Sequence, residues 1–511
     1  MPQVARASLL TVPAPPPSPE PWTRSDPVAE LLTHLTAVRE DAIPPGRPLP
    51  AGDPAEVLDT VDRLLGPPQL PGRGIGEAAA LRRLAIALSG FGVDLRHPRT
   101  AAHLQAPSLP IAAAADALVS LANPSVDTYD SGPSGVAVER WVVRTLAGLA
   151  GLGPASDGVL TPGGSLSNLL GLLLARDTAA ARLGINTRQD GLAALPGPVV
   201  FCSELAHFSL HRACAALGLG EAAVHPVPVD RHRRMRPEAL VRELRDLPGR
   251  RTPVAVVATA GTTDFGSVDP LPELAEIAAD HDLWLHVDAA HGFGTLFSER
   301  LSPLLAGITG ADSITGDLHK LGWQPAPASV LLVADGASFA PLSREVAYLN
   351  PSDDAAEGFG GLLGHTLQTT RRPDAVKIAT SLLAYGRARL GAMVDHCHDL
   401  ANHARGLVVA EPRLELLAEP TISTLLFRYL PTPGVDADAV NAALRRDLLR
   451  DARALVGRSA VTLHGAVTAP LTSLKLTLIN PAAATEDLDA ILAAVLDAGE
   501  RAEAAWKERY A

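Results

Sequence analysis

Three stretches of this chain put chemically useful side chains where an apolar run stops. In Gly158-Val-Leu-Thr-Pro-Gly163-Gly164-Ser165-Leu-Ser167-Asn168, glycines precede a helix expected to run to about Arg182. Glycine lets the backbone approach a ligand closely, the free N–H groups and dipole of a helix start favour an anion, and Ser165 adds a hydroxyl. A phosphate suits such a turn, although a plain helix cap has the same pattern. In Trp284-Leu-His-Val-Asp288-Ala289-Ala290, a carboxylate ends an apolar strand, and burying it is costly without a charged partner. A protonated pyridine nitrogen is one such partner; a capped helix or an arginine is the plainer alternative. In Asp312-Ser-Ile-Thr-Gly-Asp317-Leu-His319-Lys320, a lysine follows another apolar run. Its amine, with an ordinary pKa of about 10.4, condenses with an aldehyde only where the site keeps it neutral often enough. A lone His-Lys pair usually decorates a surface. Here the order overrides that reading: phosphate turn, strand followed by His207, strand ending in Asp288, strand leading to Lys320.

The elements that must hold these residues read as follows. Residues 1–26 are proline-rich and expected to be a disordered tail. From 27 to 122 the pattern is helical, broken by proline-rich loops such as Ile43 to Pro54. Gly72-Arg-Gly74-Ile-Gly76 follows prolines rather than a strand, so it reads as a loop and helix start and not as a dinucleotide-binding turn. From 123 to 386, apolar runs at 199–202, 223–229, 254–258, 283–287 and 330–333 alternate with helical stretches at 205–219, 237–247 and 271–282. That alternation predicts an α/β unit with a mainly parallel sheet flanked by helices, in which ligands bind at the carboxyl ends of the strands. From 387 to 511 come a long helix, a strand at 421–428, a helix near 436–455, a strand at 473–480 and a helix from about Thr485. This mixture predicts a small α+β domain.

Composition narrows the function classes. With 511 residues, 47% hydrophobic and 20% charged, most of the chain is expected to fold as an enzyme-sized protein. A formal net charge of −12 disfavours nucleic-acid binding, and the short run Arg231-His-Arg-Arg234 reads as a solvated loop. No uncharged apolar run is long enough to span a bilayer, and no signal peptide is evident. Cys202, Cys214 and Cys397 lack metal-like spacing, which suggests a reducing, cytoplasmic setting without disulfides. His396 and His398, two residues apart, point to different faces of a helix, and His403 lies two turns from His396, so no metal site is expected.

Ser203-Glu-Leu-Ala-His207-Phe-Ser, Thr259-Ala-Gly261-Thr262-Thr263, His286-Val-Asp288-Ala-Ala290 and the stretch from Asp312 to Lys320 together resemble the group II decarboxylases that use pyridoxal 5′-phosphate (PLP). The resemblance runs from about Ala101 to Gly386 and continues weakly to both ends. It implies the type I fold of PLP-dependent transferases, with a helical N-terminal segment and a small C-terminal domain. It implies that Lys320 carries the cofactor, that Asp288 faces the ring nitrogen, and that His207 stacks on the ring with Ala290 on its other face. Gly164, Ser165 and His319 resemble phosphate-site residues, and Thr263 a threonine near the cofactor. Asp317 stands where some members have Asn, which puts its phosphate role in doubt. Family members are homodimers with active sites at the subunit interface and the N-terminal segment wrapped on the partner, and the same is expected here.

Asn123-Pro-Ser-Val-Asp127-Thr-Tyr-Asp130, Gln324-Pro, Tyr348-Leu-Asn-Pro and Leu367-Gln-Thr-Thr-Arg371-Arg372 resemble the branch that decarboxylates L-2,4-diaminobutyrate and siderophore diamines. Leu321, Ser131, His291 and the segment 377–380 depart from the usual pattern and bear on substrate rather than cofactor. The family ties a loop tyrosine to the return of a proton after CO₂ loss, and Tyr348 sits in a comparable stretch. Lys475 stands where glutamate decarboxylases have an arginine that contacts a carboxylate. Asp127 and Asp130 are candidates for a distal ammonium, or else a turn-forming pair. Glutamate, lysine or an aromatic amino acid remain alternative substrates. An aldehyde-forming oxidative decarboxylase and a silent PLP-binding protein remain alternative functions.

Overall fold

The protein is described by a computed structural model covering residues 28–462 and 469–510. The tail expected over 1–26 lies outside the described residues. In chain order the strands are β1 (Thr100–Ala101), β2 (Asp157–Thr161), β3 (Pro198–Ser203), β4 (Val224–Val227), β5 (Thr252–Thr259) and β6 (Trp284–Ala289). They continue with β7 (Ser313–Asp317), β8 (Ser329–Val333), β9 (Leu414–Ala418), β10 (Thr424–Tyr429), β11 (Leu455–Val461) and β12 (Leu471–Thr477). A seven-stranded sheet has the order β2-β8-β7-β6-β5-β3-β4, and a five-stranded sheet the order β1-β11-β12-β10-β9. In the large sheet only β8 runs against its neighbours.

The large sheet is buried on both faces, which is why its strands read as continuous apolar runs. Alternate residues serve opposite sides. Phe201, Val256, Ile314 and Leu332 join one core, while Val200, Val257, Leu331 and Val333 join the other. Parallel pairing then lines up the strand ends. Thr259 lies opposite Asp288, and Ala289 opposite Gly316. The antiparallel β8 begins at the same edge, with Ser329 opposite both Asp317 and Thr161. Residues far apart in sequence thus meet at one edge.

The sequence reading placed the large-domain strands and helices well and missed particular elements. The Gly158 turn contains a true strand, β2, whose central residues Val159 and Leu160 are buried. The helix expected to reach 455 ends at Arg450; Ala452 takes a positive φ of 52° and the chain turns back into β11, which pairs with β12. The long helix spans Ala375–Ala410 rather than starting near 387, and Gly386 breaks it with φ 59° and ψ 176°. We propose that break as the boundary between the large and small units. Trp323 ties the parts together: its indole donates to Ile479 O at 2.8 Å, and its carbonyl accepts from Leu109 N at 2.8 Å.

One buried ion pair fixes the strand that leads into the glycine turn. Glu139 (1% exposed) and Arg371 (8%) approach to 2.8 Å. Glu139 also accepts from Leu160 N at 3.1 Å, and Arg371 donates to Leu160 O at 3.3 Å. Burial pushes the Glu139 carboxyl up, and Arg371 works against that shift. Removing one partner strands the other charge in the interior. Arg371→Met is expected to lower stability by about 3–5 kcal/mol in urea denaturation, and adding Glu139→Gln to recover part of the loss. A loss within about 0.5 kcal/mol would contradict this role for the pair.

Candidate active site

At the aligned strand ends lies a cavity of about 360 Å³, within the range of small-molecule sites. Its wall includes Gly164, Ser165, His207, Thr263, Asp288, Ala290, Asp317, His319 and Lys320. The structure therefore gathers every residue expected to hold the cofactor. It does not bring the remaining candidates there within one chain. Tyr348 is 84% exposed and borders a separate depression that also includes Asp130, Tyr129 and Phe359. Asp130 accepts from Thr128 Oγ1 at 2.6 Å. Asp127 is buried, with its carboxylate accepting from the Ser125 hydroxyl and its carbonyl from Leu363 N. Lys475 is tied to Asp264, Nζ to Oδ1 at 2.8 Å, beside cavity-lining Thr263. His396 and His398 donate to different carbonyls, those of Ala483 and Ile422.

Each wall has a local cause. The helix Gly164–Arg182 begins at the cavity, and a side chain at Gly164 would stand 3.0 Å from Asp317 Oδ1 and 3.1 Å from Ala290 Cβ. A side chain there would crowd both neighbours, so the glycine leaves a cradle at a helix start. Asp317 (4% exposed) is the counter-ion of Lys320, Oδ2 to Nζ at 2.8 Å, and accepts from Ser329 Oγ at 2.5 Å. Its carboxylate thus neutralises the lysine, a more direct role than phosphate binding. His319 Nδ1 lies 3.2 Å from Ala328 O and donates to it.

Asp288 is buried and ends β6. Oδ1 accepts from Ala290 N at 3.1 Å, and Oδ2 from Asn168 Nδ2 at 2.8 Å. Both oxygens are thus held by donors, which lets a carboxylate persist in the interior. Asn168, four residues after Gly164 and so one helical turn further, was not singled out in the sequence; that i, i+4 spacing from the glycine turn was the available signal. His291 also lines the cavity, and among the described residues neither ring nitrogen makes a hydrogen bond of ordinary geometry, although the Thr262 backbone lies near the ring. Thr259 Oγ1, on the same wall, is likewise buried and unpartnered.

This set fits PLP. A glycine-lipped helix start suits its phosphate, a fixed carboxylate suits its ring nitrogen, and a lysine amine suits its aldehyde. The unpartnered polar atoms on the wall are further places for a bound molecule to contact.

Comparison with known proteins agrees. Residues 87–430 match the family model described as the pyridoxal-dependent decarboxylase conserved domain. The chain is 40% identical over 430 residues to an L-2,4-diaminobutyrate decarboxylase of Rhizobium meliloti (strain 1021), covering 83% of each protein. It is 34% identical to an L-2,4-diaminobutyrate decarboxylase of Acinetobacter baumannii, covering 84% of this chain and 85% of that one. Among solved structures it resembles the glutamate decarboxylase domain of diaminobutyrate-pyruvate transaminase and L-2,4-diaminobutyrate decarboxylase from Vibrio parahaemolyticus. That match has a TM-score of 0.81 at 30% identity and covers 93% of this chain and 96% of that one.

Burial lowers the imidazole of His286 to about 4 and that of His291 to about 3, whereas an unfolded histidine titrates near 6.5. Below pH 6.5 the unfolded chain therefore binds protons that the folded protein refuses. Each ring then removes about 1.4 kcal/mol of stability per pH unit until its folded value is reached. Asp269, raised by burial from 3.8 to about 6, acts oppositely: the folded form holds its proton first, so this group adds stability as pH falls through that window. His291→Phe is expected to flatten the acid-side loss by about 1.4 kcal/mol per pH unit between roughly pH 6 and 4. Urea denaturation of cofactor-free protein across that range measures it, and an unchanged slope would contradict a buried neutral ring.

Proposed function

Because the chain belongs to the pyridoxal-dependent decarboxylase family, and is a PLP-dependent carboxy-lyase acting on an amino acid, we propose that its substrate is L-2,4-diaminobutyrate and its products are CO₂ and propane-1,3-diamine. The observation that carries the site assignment is the convergence of Lys320, Asp288 and the Gly164 helix start on one cavity. The names of the relatives support the substrate, and so does the cavity's charge. Among the described residues, Lys320 is the only lysine or arginine on the wall, where Asp288 and Asp317 also lie. Lys475, the candidate contact for a second carboxylate, is paired with Asp264. A substrate with a distal ammonium fits this balance better than glutamate does.

In this reading Gly164, Ser165 and His319 would hold the phosphate, Asp288 the ring nitrogen and Lys320 the aldehyde carbon, with Ala290, His207 and Thr263 on the same wall. PLP supplies an electrophilic carbon that links to amines and a ring that draws electrons from the substrate's α-carbon. Asp317 balances the charge of Lys320 when the site is at rest. Asp288, fixed by Ala290 N and Asn168, keeps a proton on the nitrogen it faces. Loss of CO₂ leaves an electron pair on carbon, and a proton has to return there. His207 and Tyr348 are the groups proposed to hold that proton.

For Tyr348 this requires a second chain. Its exposure and its place at a separate depression fit a loop that serves a neighbouring subunit. The helix Pro54–Leu65 supports a homodimer in the same way: none of its residues is buried, although Val57, Leu58, Val61, Leu64 and Leu65 form one apolar face. Leu84 and Leu88 of the next helix are also exposed. No helix among the described residues is long and apolar enough to cross a membrane. The three cysteines are free and buried, with thiols that burial raises to about 12, which supports a cytoplasmic setting.

Two measurements test this reading. CO₂ release from a panel of amino acids by PLP-loaded protein is expected to be highest with L-2,4-diaminobutyrate; preference for glutamate or an aromatic would refute the diamine assignment. Borohydride reduction and peptide mapping are expected to find a pyridoxyl adduct on Lys320, and Lys320→Ala to abolish both adduct and turnover. An adduct on another lysine would remove Lys320 from its role.

A further inference from the structure

Asn168 is 1% exposed and uses its whole hydrogen-bonding capacity. Its Nδ2 donates to Asp288 Oδ2 at 2.8 Å and to Ser209 Oγ at 3.0 Å. Its Oδ1 accepts from Thr315 Oγ1 at 2.8 Å and lies 3.0 Å from His286 Nε2. The amide can face only one way. A carboxylate oxygen has no hydrogen, so the Asn168 atom beside Asp288 is the nitrogen.

Two proton placements follow. On one side, Oδ1 accepts only, so His286 carries its hydrogen on Nε2. Its Nδ1 then accepts from Ser313 Oγ at 2.7 Å, and Ser313 in turn accepts from the donor-only indole of Trp284 at 2.7 Å. On the other side, the backbone N–H of Ser209, which can only donate, reaches His207 Nδ1 at 3.3 Å, so that nitrogen accepts, and the Ser209 hydroxyl that Asn168 holds donates to it at 2.8 Å. His207 therefore carries its hydrogen on Nε2, the nitrogen that Ser209 leaves free. Burial lowers both rings from the ordinary value, so each is neutral near pH 7. The helix passes so close to His286 that a Cβ at Gly171 would stand 2.6 Å from the ring, which confines the imidazole to this network.

We propose that Asn168 is a positioning residue that orients Asp288 and locks His207 and His286 as Nε2–H tautomers, so that His207 always presents a hydrogen, and never a lone pair, to a molecule in the cavity. The chemical use of that hydrogen rests on the decarboxylase reading; the lock itself does not.

The test uses full-length cofactor-free protein labelled with ¹⁵N-histidine. Long-range ¹H–¹⁵N spectra at pH 7 report which ring nitrogen is protonated, with His207→Gln and His286→Gln assigning the signals. Both rings are expected as Nε2–H. Ser209→Ala is expected to release His207 into a tautomer mixture without altering His286, Ser313→Ala to do the reverse, and Asn168→Ala to perturb both. In the PLP-loaded enzyme, Asn168→Ala is expected to lower kcat on the order of ten- to hundredfold with little change in KM. An Nδ1–H or doubly protonated ring in the unsubstituted protein overturns the proposal, as do unchanged ring signals in Asn168→Ala. Should that variant not fold, an unchanged His207 in Ser209→Ala overturns it. Protein with the expected ring signals that releases no CO₂ from any amino acid supports the lock and refutes the proposed function.

Discussion

A carboxylate at the inner end of an apolar strand has to find donors. Asp288 sits where β6 leaves a sheet covered on both faces, and an unpaired charge there costs several kcal/mol or more. Ala290 N and the Asn168 amide take the two oxygens, and Asn168 is supported by Thr315, His286 and Ser209. Two strands, β6 and β7, and the first turns of two helices thus converge on one acidic group. The hydrogen bonds that keep it charged also fix its direction, which is what a ring nitrogen facing it would need.

The second constraint is neutrality. Lysine, aspartates and histidines share a small volume, yet few net charges remain. Asp317 balances Lys320, and Asp264 balances Lys475. Burial holds His207, His286, His291 and His319 below the ordinary imidazole range. Among the described residues, Asp288 has no salt-bridge partner, and the donors to its carboxylate are two neutral amides. A cationic group entering the cavity would meet that carboxylate without displacing a salt bridge. Proton placement, rather than bulk charge, is what the buried network controls.

The periphery follows a different logic. The N-terminal helices turn apolar faces outward, Phe208 beside His207 is 54% exposed, and the loop bearing Tyr348 stands clear of the cavity. Such faces are expensive to leave in water. In the proposed homodimer a second copy of the chain would cover them. The single chain gathers the residues expected to hold the cofactor around one cavity.

By itself the sequence determined the architecture and the cofactor wall. Apolar runs of strand length, punctuated by helices, implied the sheet because burial on two faces requires such runs. Gly164, Asp288 and Lys320 were legible because each interrupts an apolar pattern with a group that needs a partner. Tertiary structure decided the rest. Asn168 and Gly171 look like ordinary helix residues until the helix crosses β6 and β7, and no local pattern carries that crossing. Lys475 looked free to meet a carboxylate until β12 placed it beside Asp264, 211 residues away in sequence. Asp127 and Asp130 looked equivalent until packing buried one and left the other at a surface depression. Local pattern reports which groups are costly to bury, but only the packed chain shows which partner meets that cost.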